Sequence, residues 1–281
     1  MTNLNSELLK KFEFLCENLR QMESVIVAYS GGVDSTFLAF SAHKVLGNRS
    51  VAVTAVSPSL SQKDHQDGIR FAEEIGVRHE FIHTSEVDNE EYRVNDSKRC
   101  FHCKNELFVN LDEFRQQFPS FKELIYGPVV DDLGDYRPGM EAAKLADAKA
   151  PMIDAGLSKS EIRVLSRHFG LSSWDKPAAP CLSSRVAYGE YITEDKLSQI
   201  EVAEAFVRSE GFREFRVRHH GEVARIELPP FDFERFFSDG RDSRISSALK
   251  ECGYKFVTID VEGYRSGSLN EVLEELPVIQ G

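Results

Sequence analysis

The sequence predicts an α/β fold: a parallel sheet covered by helices, followed by a smaller C-terminal α+β domain. Three observations lead there. Apolar, β-prone runs at 25–29, 51–56 and 78–83 alternate with helical apolar patterns. That is the β-α-β-α-β rhythm of a parallel sheet with crossover helices. The first run ends in Ser30-Gly31-Gly32-Val33-Asp34-Ser35 and opens straight into a helix. Beyond residue 192 the order changes to α-β-β-α-β, which suits a small mixed domain.

Taken in order, Leu4, Leu8, Leu9, Phe12, Leu15, Cys16 and Leu19 recur at helical spacing. Residues 4–20 therefore form an amphipathic helix, with Cys16 on its core face. After the glycine turn, Phe37, Leu38, Ala39, Ala42 and Val45 mark the next helix. Ser61 with Asp64 caps a third, whose face uses Ile69, Phe71, Ala72 and Ile75 before Gly76 ends it. Residues 84–99 are polar and aperiodic. Cys100-Phe101-His102-Cys103 then starts a helix carrying Leu107, Phe108, Leu111, Phe114 and Phe118. A short strand follows at 123–127. Ser158 and Glu161 form a capping box for a helix through Ile162, Leu165 and Phe169, which Gly170 ends.

The next stretch, 171–185, holds Trp174, Pro177, Pro180 and Cys181 in a context that sustains no long helix. It reads as the linker between domains, giving boundaries at 1–170, 171–192 and 193–281. In the last part Thr193 caps a helix with Leu197, Ile200, Ala203, Phe206 and Val207 on its face, and Gly211 ends it. Strands at 212–219 and 222–228, a helix at 241–252, a strand at 254–260 and a helix at 269–276 complete the chain. Cys252, at a helix end, reads as structural.

With 281 residues, 41% hydrophobic and 28% charged, the composition is that of an ordinary globular protein with ample length for a core. No stretch approaches a membrane span, and the first residues lack the basic and apolar regions of a signal peptide. The net charge of −12 disfavours a broad nucleic-acid footprint while leaving room for a local basic pocket. Five cysteines, an odd number, do not form a disulfide framework in a reducing compartment.

The chemistry concentrates in four places. In Ser30 to Ser35 two glycines let backbone N–H groups converge, and the helix N-terminus adds more, so the turn cradles an anion. Ser30 and Ser35 add hydroxyl donors; Asp34 is an acceptor and suits a metal ion or a helix cap. No Gly-Lys-Ser/Thr follows, which excludes a P-loop, and the spacing is not Gly-x-Gly-x-x-Gly. Second, Asp131, Asp132 and Asp135 lie in a loop bounded by Gly and Pro after a strand, a fair fit to a Mg²⁺ or ribose site. Third, Cys100 and Cys103 at a helix start beside Lys104 read as a redox pair, as two metal or cluster ligands, or as structural residues. Cys181, near Arg185, suits a nucleophile or sulfur carrier with a stabilised thiolate. Fourth, Arg213, Arg216, Arg218, His219 and His220 are the densest basic run. Arg216 and Arg218 share a strand face that suits a phosphate, and Arg265 is a second candidate.

The Ser-Gly-Gly-Val-Asp-Ser turn resembles the PP-motif of ATP pyrophosphatases, which cleave ATP to AMP and pyrophosphate and activate a substrate oxygen as an adenylate. Together with Asp131-Asp132-Leu133-Gly134-Asp135-Tyr136-Arg137-Pro138-Gly139 and Trp174-Asp175-Lys176-Pro177 through Cys181-Leu182-Ser183-Ser184-Arg185, it resembles the sulfur transferase family that matures the nickel-pincer cofactor of lactate racemase. The resemblance covers most of the chain. It implies a PP-loop ATP pyrophosphatase domain at 1–170 and a small domain at 193–281 for substrate binding and oligomerisation. ATP would sit on Ser30, Gly31, Gly32, Val33 and Ser35, with Mg²⁺ on Asp34 and on Asp131 or Asp132. The acceptor would be a small phosphorylated carboxylate, pyridinium-3,5-biscarboxylic acid mononucleotide, whose oxygen is replaced by sulfur. Arg218 and Arg265 match family arginines that bind a phosphate at a subunit junction, which implies a homo-oligomer. With ATP chemistry the expected compartment is the cytoplasm, with neither nucleic acid nor membrane as partner.

One branch of that family consumes the cysteine matching Cys181, leaving dehydroalanine. Another adds a Cys-x-x-Cys and holds a [4Fe-4S] cluster with three thiolates; Cys100, Cys103 and Cys181 resemble that branch. One departure is notable: Pro128-Val129-Val130 stands where the family usually includes an Asn. Two rival functions stay open: a cluster-dependent tRNA or nucleotide thiolase, and a non-catalytic iron-sulfur or redox protein.

Overall fold

β1 (Val25–Ala28) is a run of small and β-branched residues buried on both faces, and it takes the centre of a four-stranded parallel sheet. Its neighbours are β2 (Ser50–Val56) and β4 (Glu123–Ile125), and β3 (Arg78–His83) pairs beyond β2, so the order is β3-β2-β1-β4. The computed structural model describes residues 4–134, 138–265 and 268–270. The chain divides into two compact units, residues 1–86 with 100–179 and residues 87–99 with 180–281.

In the first unit the period of two along β1 sorts its residues between two cores. Val25 and Val27 face a cluster built from α1 (Ser6–Gln21), α2 (Val33–Leu46) and α8 (Lys159–His168), including Leu15, Phe37 and Leu165. Ile26 faces the other way, onto Phe108, Leu111 and Leu124 of α5 (Arg99–Gln117) and β4, and onto Ala142 of α6 (Pro138–Leu145). α3 (Gln62–Ile75) starts on the Ser61 cap and ends on Gly76 in the left-handed region, as its sequence signals require. The Ser158–Glu161 capping box forms with both of its hydrogen bonds. Between them the short α7 (Pro151–Asp154) completes the layer. Cys16 is buried in the first cluster, and burial pushes its thiol up.

The second unit has a three-stranded sheet, order β5-β6-β7. β5 (Arg216–His220) and β6 (Val223–Glu227) are antiparallel, while β7 (Phe256–Ile259) runs parallel to β6 after α10 (Phe233–Phe236) and α11 (Arg241–Glu251). α9 (Glu194–Ser209), capped by Thr193, covers it with Ala203 and Val207. The expected strand from 212 is shortened. Phe212 and Phe215 are both buried, and a spacing of three cannot put two side chains on one face of an alternating strand. Residues 84–99 are not a plain connection: α4 (Glu90–Arg93) and Asn95 belong to this second unit. The expected helix at 269–276 lies outside the described residues from 271 onward, as do Asp135, Tyr136 and Arg137. No helix among the described residues is long and apolar enough to cross a membrane.

A histidine inside the parallel sheet gives the first unit a pH dependence. Thr54 Oγ1 donates to the Tyr29 carbonyl at 2.9 Å, so its one proton is used and it accepts from His79 Nε2 at 2.8 Å. Burial, with His65 beside it, pushes the His79 pKa down to about 4, while the carboxylate of Glu80 pulls the other way. Between the unfolded value near 6.5 and about 4, the unfolded chain binds a proton that the folded chain does not, so stability falls as pH falls through that window. The slope is at most ~1.4 kcal/mol per pH unit, reduced because the ring is partly exposed to solvent. Urea unfolding at pH 7 and pH 5 should show this loss in the wild type and a smaller one in His79→Gln, and equal losses would refute the assignment.

Candidate active site

β1 is where the strand order turns, with β2 on one side and β4 on the other, and its C-terminal end delivers the glycine turn to that switch point. Tyr29 anchors the turn: its N–H donates to the Val53 carbonyl and its hydroxyl to the Gly68 carbonyl, both at 2.9 Å. Gly31 has φ +67°, and a Cβ there would come within 2.7 Å of Gly68 Cα. Both facts exclude other residues, the first by backbone preference and the second by collision. Gly127, at the end of β4, makes a similar approach; a Cβ on it would lie 3.3 Å from Ser35 N and Cα. The turn is thus packed backbone to backbone on two sides.

α2 begins with Gly32 at its N-cap, which has no side chain to satisfy the first amides. The hydroxyls of Ser30 and Ser35 lie 3.1 Å apart, and Ser35 donates to the Gly32 carbonyl at 3.2 Å. Val33 is buried and plugs the helix into the core. This arrangement offers backbone and hydroxyl donors to an anion with little reorganisation.

Asp34 sits in the first turn of α2. Its Oδ1 is buried with no hydrogen-bond partner, and its Oδ2 lies 3.6 Å from Lys159 Nζ, beyond hydrogen-bond range. Burial raises its pKa, and the nearby Asp132 carboxylate adds to the rise while Lys159 opposes it. An orphaned carboxylate oxygen with a second acid close by fits a Mg²⁺ ion, which takes one or two carboxylates together with phosphate oxygens. The acidic loop contributes less directly. Asp132 is buried and accepts from the Val129 N–H at 2.9 Å, and Asp131 accepts from the Lys159 N–H at 2.9 Å. Both therefore shape the backbone around the site. Pro128 and Val129, ahead of the two acids, are buried, so this part of the loop is apolar packing.

Sequence reasoning missed Gly68, Lys159 and Lys176. Lys176 Nζ lies 2.9 Å from Asp64 Oδ1 and donates to the Gly31 carbonyl at 3.2 Å. Gly68 lies within a helix, where nothing local marks a close approach. For Lys176 the only signal was its place in the Trp174-Asp175-Lys176-Pro177 segment, which names no partner.

Cys100 and Cys103 fall in the first turn of α5, three residues apart on one helix face. Cys100 is exposed and Cys103 half-buried. Gly139 lets α6 approach that turn, since a Cβ there would come within 2.8 Å of Lys104 Cγ. Among the described residues no three of His, Cys, Asp or Glu are gathered as a metal would need.

In the second unit Cys181 is exposed at the head of a 3-10 turn, Leu182–Arg185. Arg185 does not stand beside the thiol as a lone cation. It is buried, paired to Glu204 through two hydrogen bonds of 2.9 and 3.1 Å, and its Nη1 donates to the Cys181 carbonyl at 3.0 Å. Its observed contacts hold the backbone of the cysteine turn. The turn is fixed from behind by Tyr92, whose hydroxyl meets Ser183 Oγ at 2.5 Å, and by Asn95 Nδ2, which donates to the Ala187 carbonyl at 2.8 Å.

Arg216 and Arg218 are both buried on one face of β5. Arg218 donates to the Ser184 carbonyl, to fully buried Glu227 and to Ser268 Oγ at 2.8, 2.8 and 3.0 Å, while its Nε has no partner. Ser268 N–H in turn reaches the Arg265 carbonyl at 3.4 Å, and half-buried Arg265 pairs with Glu262 at 2.6 Å. The structure thus brings Arg218 and the Arg265 segment together through Ser268. Cys252 ends α11, and burial pushes its thiol up.

The sequence profile of the NAD synthase family matches residues 8–106. An uncharacterised protein of Synechocystis is 44% identical over 261 residues, spanning 92% of this chain and 97% of its own length. The pyridinium-3,5-bisthiocarboxylic acid mononucleotide synthase of Lactiplantibacillus plantarum is 33% identical over 258 residues, 91% of this chain and 92% of that one. An uncharacterised protein of Methanocaldococcus jannaschii is 26% identical over 261 residues, 92% of this chain and 98% of its own length.

Replacing Asp34 with Asn keeps the shape and removes the charge. The expected result is a thermal midpoint equal to or above that of the wild type, because a buried charge is lost, together with loss of the Mg²⁺-dependent part of ATP binding. Titrating ATP with Mg²⁺ or with EDTA measures both; an unaltered Mg²⁺ effect in the variant would remove Asp34 from the metal site.

Proposed function

The chain belongs to the PP-loop ATP pyrophosphatase superfamily and, within it, to the family of the Lactiplantibacillus plantarum pyridinium-3,5-bisthiocarboxylic acid mononucleotide synthase, and on that premise we propose that it is an ATP-dependent sulfur transferase acting on a carboxylate of a pyridinium mononucleotide. The observation that carries the adenylation step is the orphaned Asp34 oxygen in the first turn of a helix whose Gly32 N-cap offers no side chain to its amides. A substrate carboxylate oxygen attacks the α-phosphorus of ATP, the bond to the β-phosphate oxygen breaks, and pyrophosphate leaves. The amides of the turn and the Ser30 and Ser35 hydroxyls hold the departing phosphates where charge accumulates. Bound at Asp34, with Asp132 nearby, Mg²⁺ would supply further neutralisation of that charge. The acyl adenylate is then attacked at its carbonyl carbon by sulfur, and the bond to AMP breaks; where that sulfur is Cys181 Sγ, the thioester releases the thiocarboxylate as the Cα proton is lost and the Cβ–Sγ bond breaks, leaving dehydroalanine.

Cys181 is the thiol best suited to present sulfur, being exposed on a turn whose carbonyl is held by Arg185. Cys100 and Cys103, on one helix face, suit two ligands of one centre. A [4Fe-4S] cluster shared with Cys181 would supply a transferable sulfide and spare the protein. That ligand set is carried by the sequence resemblance alone, since no three-residue group is gathered among the described residues. The thiol chemistry and ATP use fit the cytoplasm.

The test is AMP and pyrophosphate formation that depends on the biscarboxylate mononucleotide, followed by analysis of the product for a thiocarboxylate. Stimulation by tRNA instead would support a thiolase. Anaerobic purification with iron and sulfide analysis should give about four irons per chain, lost when Cys100, Cys103 or Cys181 is changed to Ala. Metal-free protein that turns over once and loses one sulfur from Cys181 would establish the sacrificial route.

The arginines should separate by burial. Arg265→Ala is expected to weaken mononucleotide binding about tenfold, roughly 1.4 kcal/mol, with an unchanged thermal midpoint. Arg218→Ala leaves Glu227 buried without that partner and should also destabilise the second unit, by about 3 kcal/mol. Calorimetric titration together with thermal unfolding reads both, and an unchanged dissociation constant in both variants would take them out of the site.

A further inference from the structure

Lys176 lies far along the chain from the glycine turn, yet its side chain ends there. Only 11% of that side chain is exposed. Its ammonium lies 2.9 Å from Asp64 Oδ1, 3.4 Å from Asp67 Oδ2 and 3.2 Å from the Gly31 carbonyl oxygen. An ammonium has three protons, and three oxygens surround this one. The stem runs beside Phe71, with Nζ 5.6 Å from the ring centroid. On Asp67, burial alone would raise the carboxyl, but Lys63 and Lys176 together hold it below its ordinary value.

The backbone behind the lysine is fixed as well. Arg163 of α8 donates to the carbonyls of Trp174 and Lys176 at 2.7 and 2.9 Å. The Arg167 guanidinium lies 4.8 Å from the Trp174 ring centroid, and the Ser172 N–H donates to Glu74 of α3 at 2.8 Å. Lys176 is therefore a rod clamped at one end to α8 and at the other to α3 and the turn. By contrast Lys159, with 43% of its side chain exposed, approaches Asp34 only to 3.6 Å.

The contact with Gly31 has a specific consequence. A trans peptide is rigid, with its C=O and N–H pointing in opposite directions, so holding the Gly31 carbonyl sets the direction of the Gly32 N–H. Gly31 is also the residue at φ +67°, where glycine leaves the backbone most freedom to rotate. We infer that Lys176 is a positioning residue of the phosphate-binding turn: it holds the Gly31 carbonyl toward α3 and thereby fixes the direction of the Gly32 N–H, which donates to Ser30 Oγ at 3.4 Å in the ligand-free turn and can pass to a phosphate oxygen of bound ATP. This rests on the reading of the turn as an ATP site. Direct contact of Lys176 with phosphate would require it to abandon Asp64 and Asp67, and the geometry favours the carbonyl role.

The test compares wild type, Lys176→Met, which keeps the stem without the charge, and Lys176→Arg, which keeps the charge. Amide hydrogen exchange of the ligand-free chain reports the turn directly, and titration with Mg²⁺–ATP reports its use. In Lys176→Met, exchange at residues 31–36 should quicken about tenfold while β1 and β2 are unchanged, and the dissociation constant for ATP should rise by a similar factor. Lys176→Arg should recover part of both. Unchanged exchange at 31–36, or acceleration spread across the whole sheet, would overturn the inference. Loss of ATP affinity with unchanged exchange would also overturn it, by making Lys176 a direct phosphate ligand. Wild-type protein that fails to bind ATP would refute the ATP reading, and the exchange arm would still judge the role of Lys176.

Discussion

The backbone of the phosphate turn rests on the backbone of α3 with no side chain between them, and the first unit's chemistry depends on that contact. A methyl group on Gly31 would collide with Gly68 Cα at 2.7 Å. The Tyr29 hydroxyl ties the same spot to the Gly68 carbonyl, and Gly127 approaches from β4. A turn clamped in this way loses its conformational freedom when the chain folds rather than when a ligand arrives. Its amides then meet phosphate oxygens without further ordering cost, which is the physical content of preorganisation. The cost falls on Asp34, whose buried oxygen is left without a partner and whose pKa burial raises. An acid left in that state suits the Mg²⁺ ion proposed to arrive with the nucleotide.

The second unit solves a different problem, the presentation of an exposed thiol on irregular backbone. A loop rich in Ala, Ser and Pro has no ladder to satisfy its carbonyls, so side chains must do so. Arg185, Asn95 and Arg218 supply the donors, the Tyr92 hydroxyl pairs with that of Ser183, and Glu204 and Glu227 neutralise the guanidinium groups. Buried ion pairs of this kind add little net stability, because desolvation offsets their attraction. Their value here is geometric: Arg185 satisfies two oxygens of Glu204 and the Cys181 carbonyl at once, which leaves the turn few alternative conformations.

The similarity of the chain to a bisthiocarboxylic acid mononucleotide synthase spans nearly its whole length, whereas the NAD synthase profile stops at residue 106. The division has a physical sense. β1 to β3, the glycine turn and α3 lie within the matched part, while Cys181 and the arginines proposed to serve the acceptor and the sulfur lie beyond it.

The sequence by itself determined the elements whose signals are local. β3 spans Arg78–His83 as its residues imply, and the caps at Ser61, Ser158 and Thr193 form because capping needs only neighbours within a turn. The glycine turn was equally legible, since strand, turn and helix are contiguous. Only the tertiary structure decided the rest. Residues 87–99 read as aperiodic because Asn95 is buried to satisfy carbonyls some ninety positions away, a role with no local period. The strand expected from 212 lost its first residues to core packing by Phe212 and Phe215. The ion pair of Arg185 with Glu204 joins two segments, and nothing near Arg185 reveals the place of Glu204 on α9. The contacts of Gly68 and Lys176 were invisible for the same reason: a close approach and a buried ammonium are properties of two distant segments, and neither segment alone names its partner.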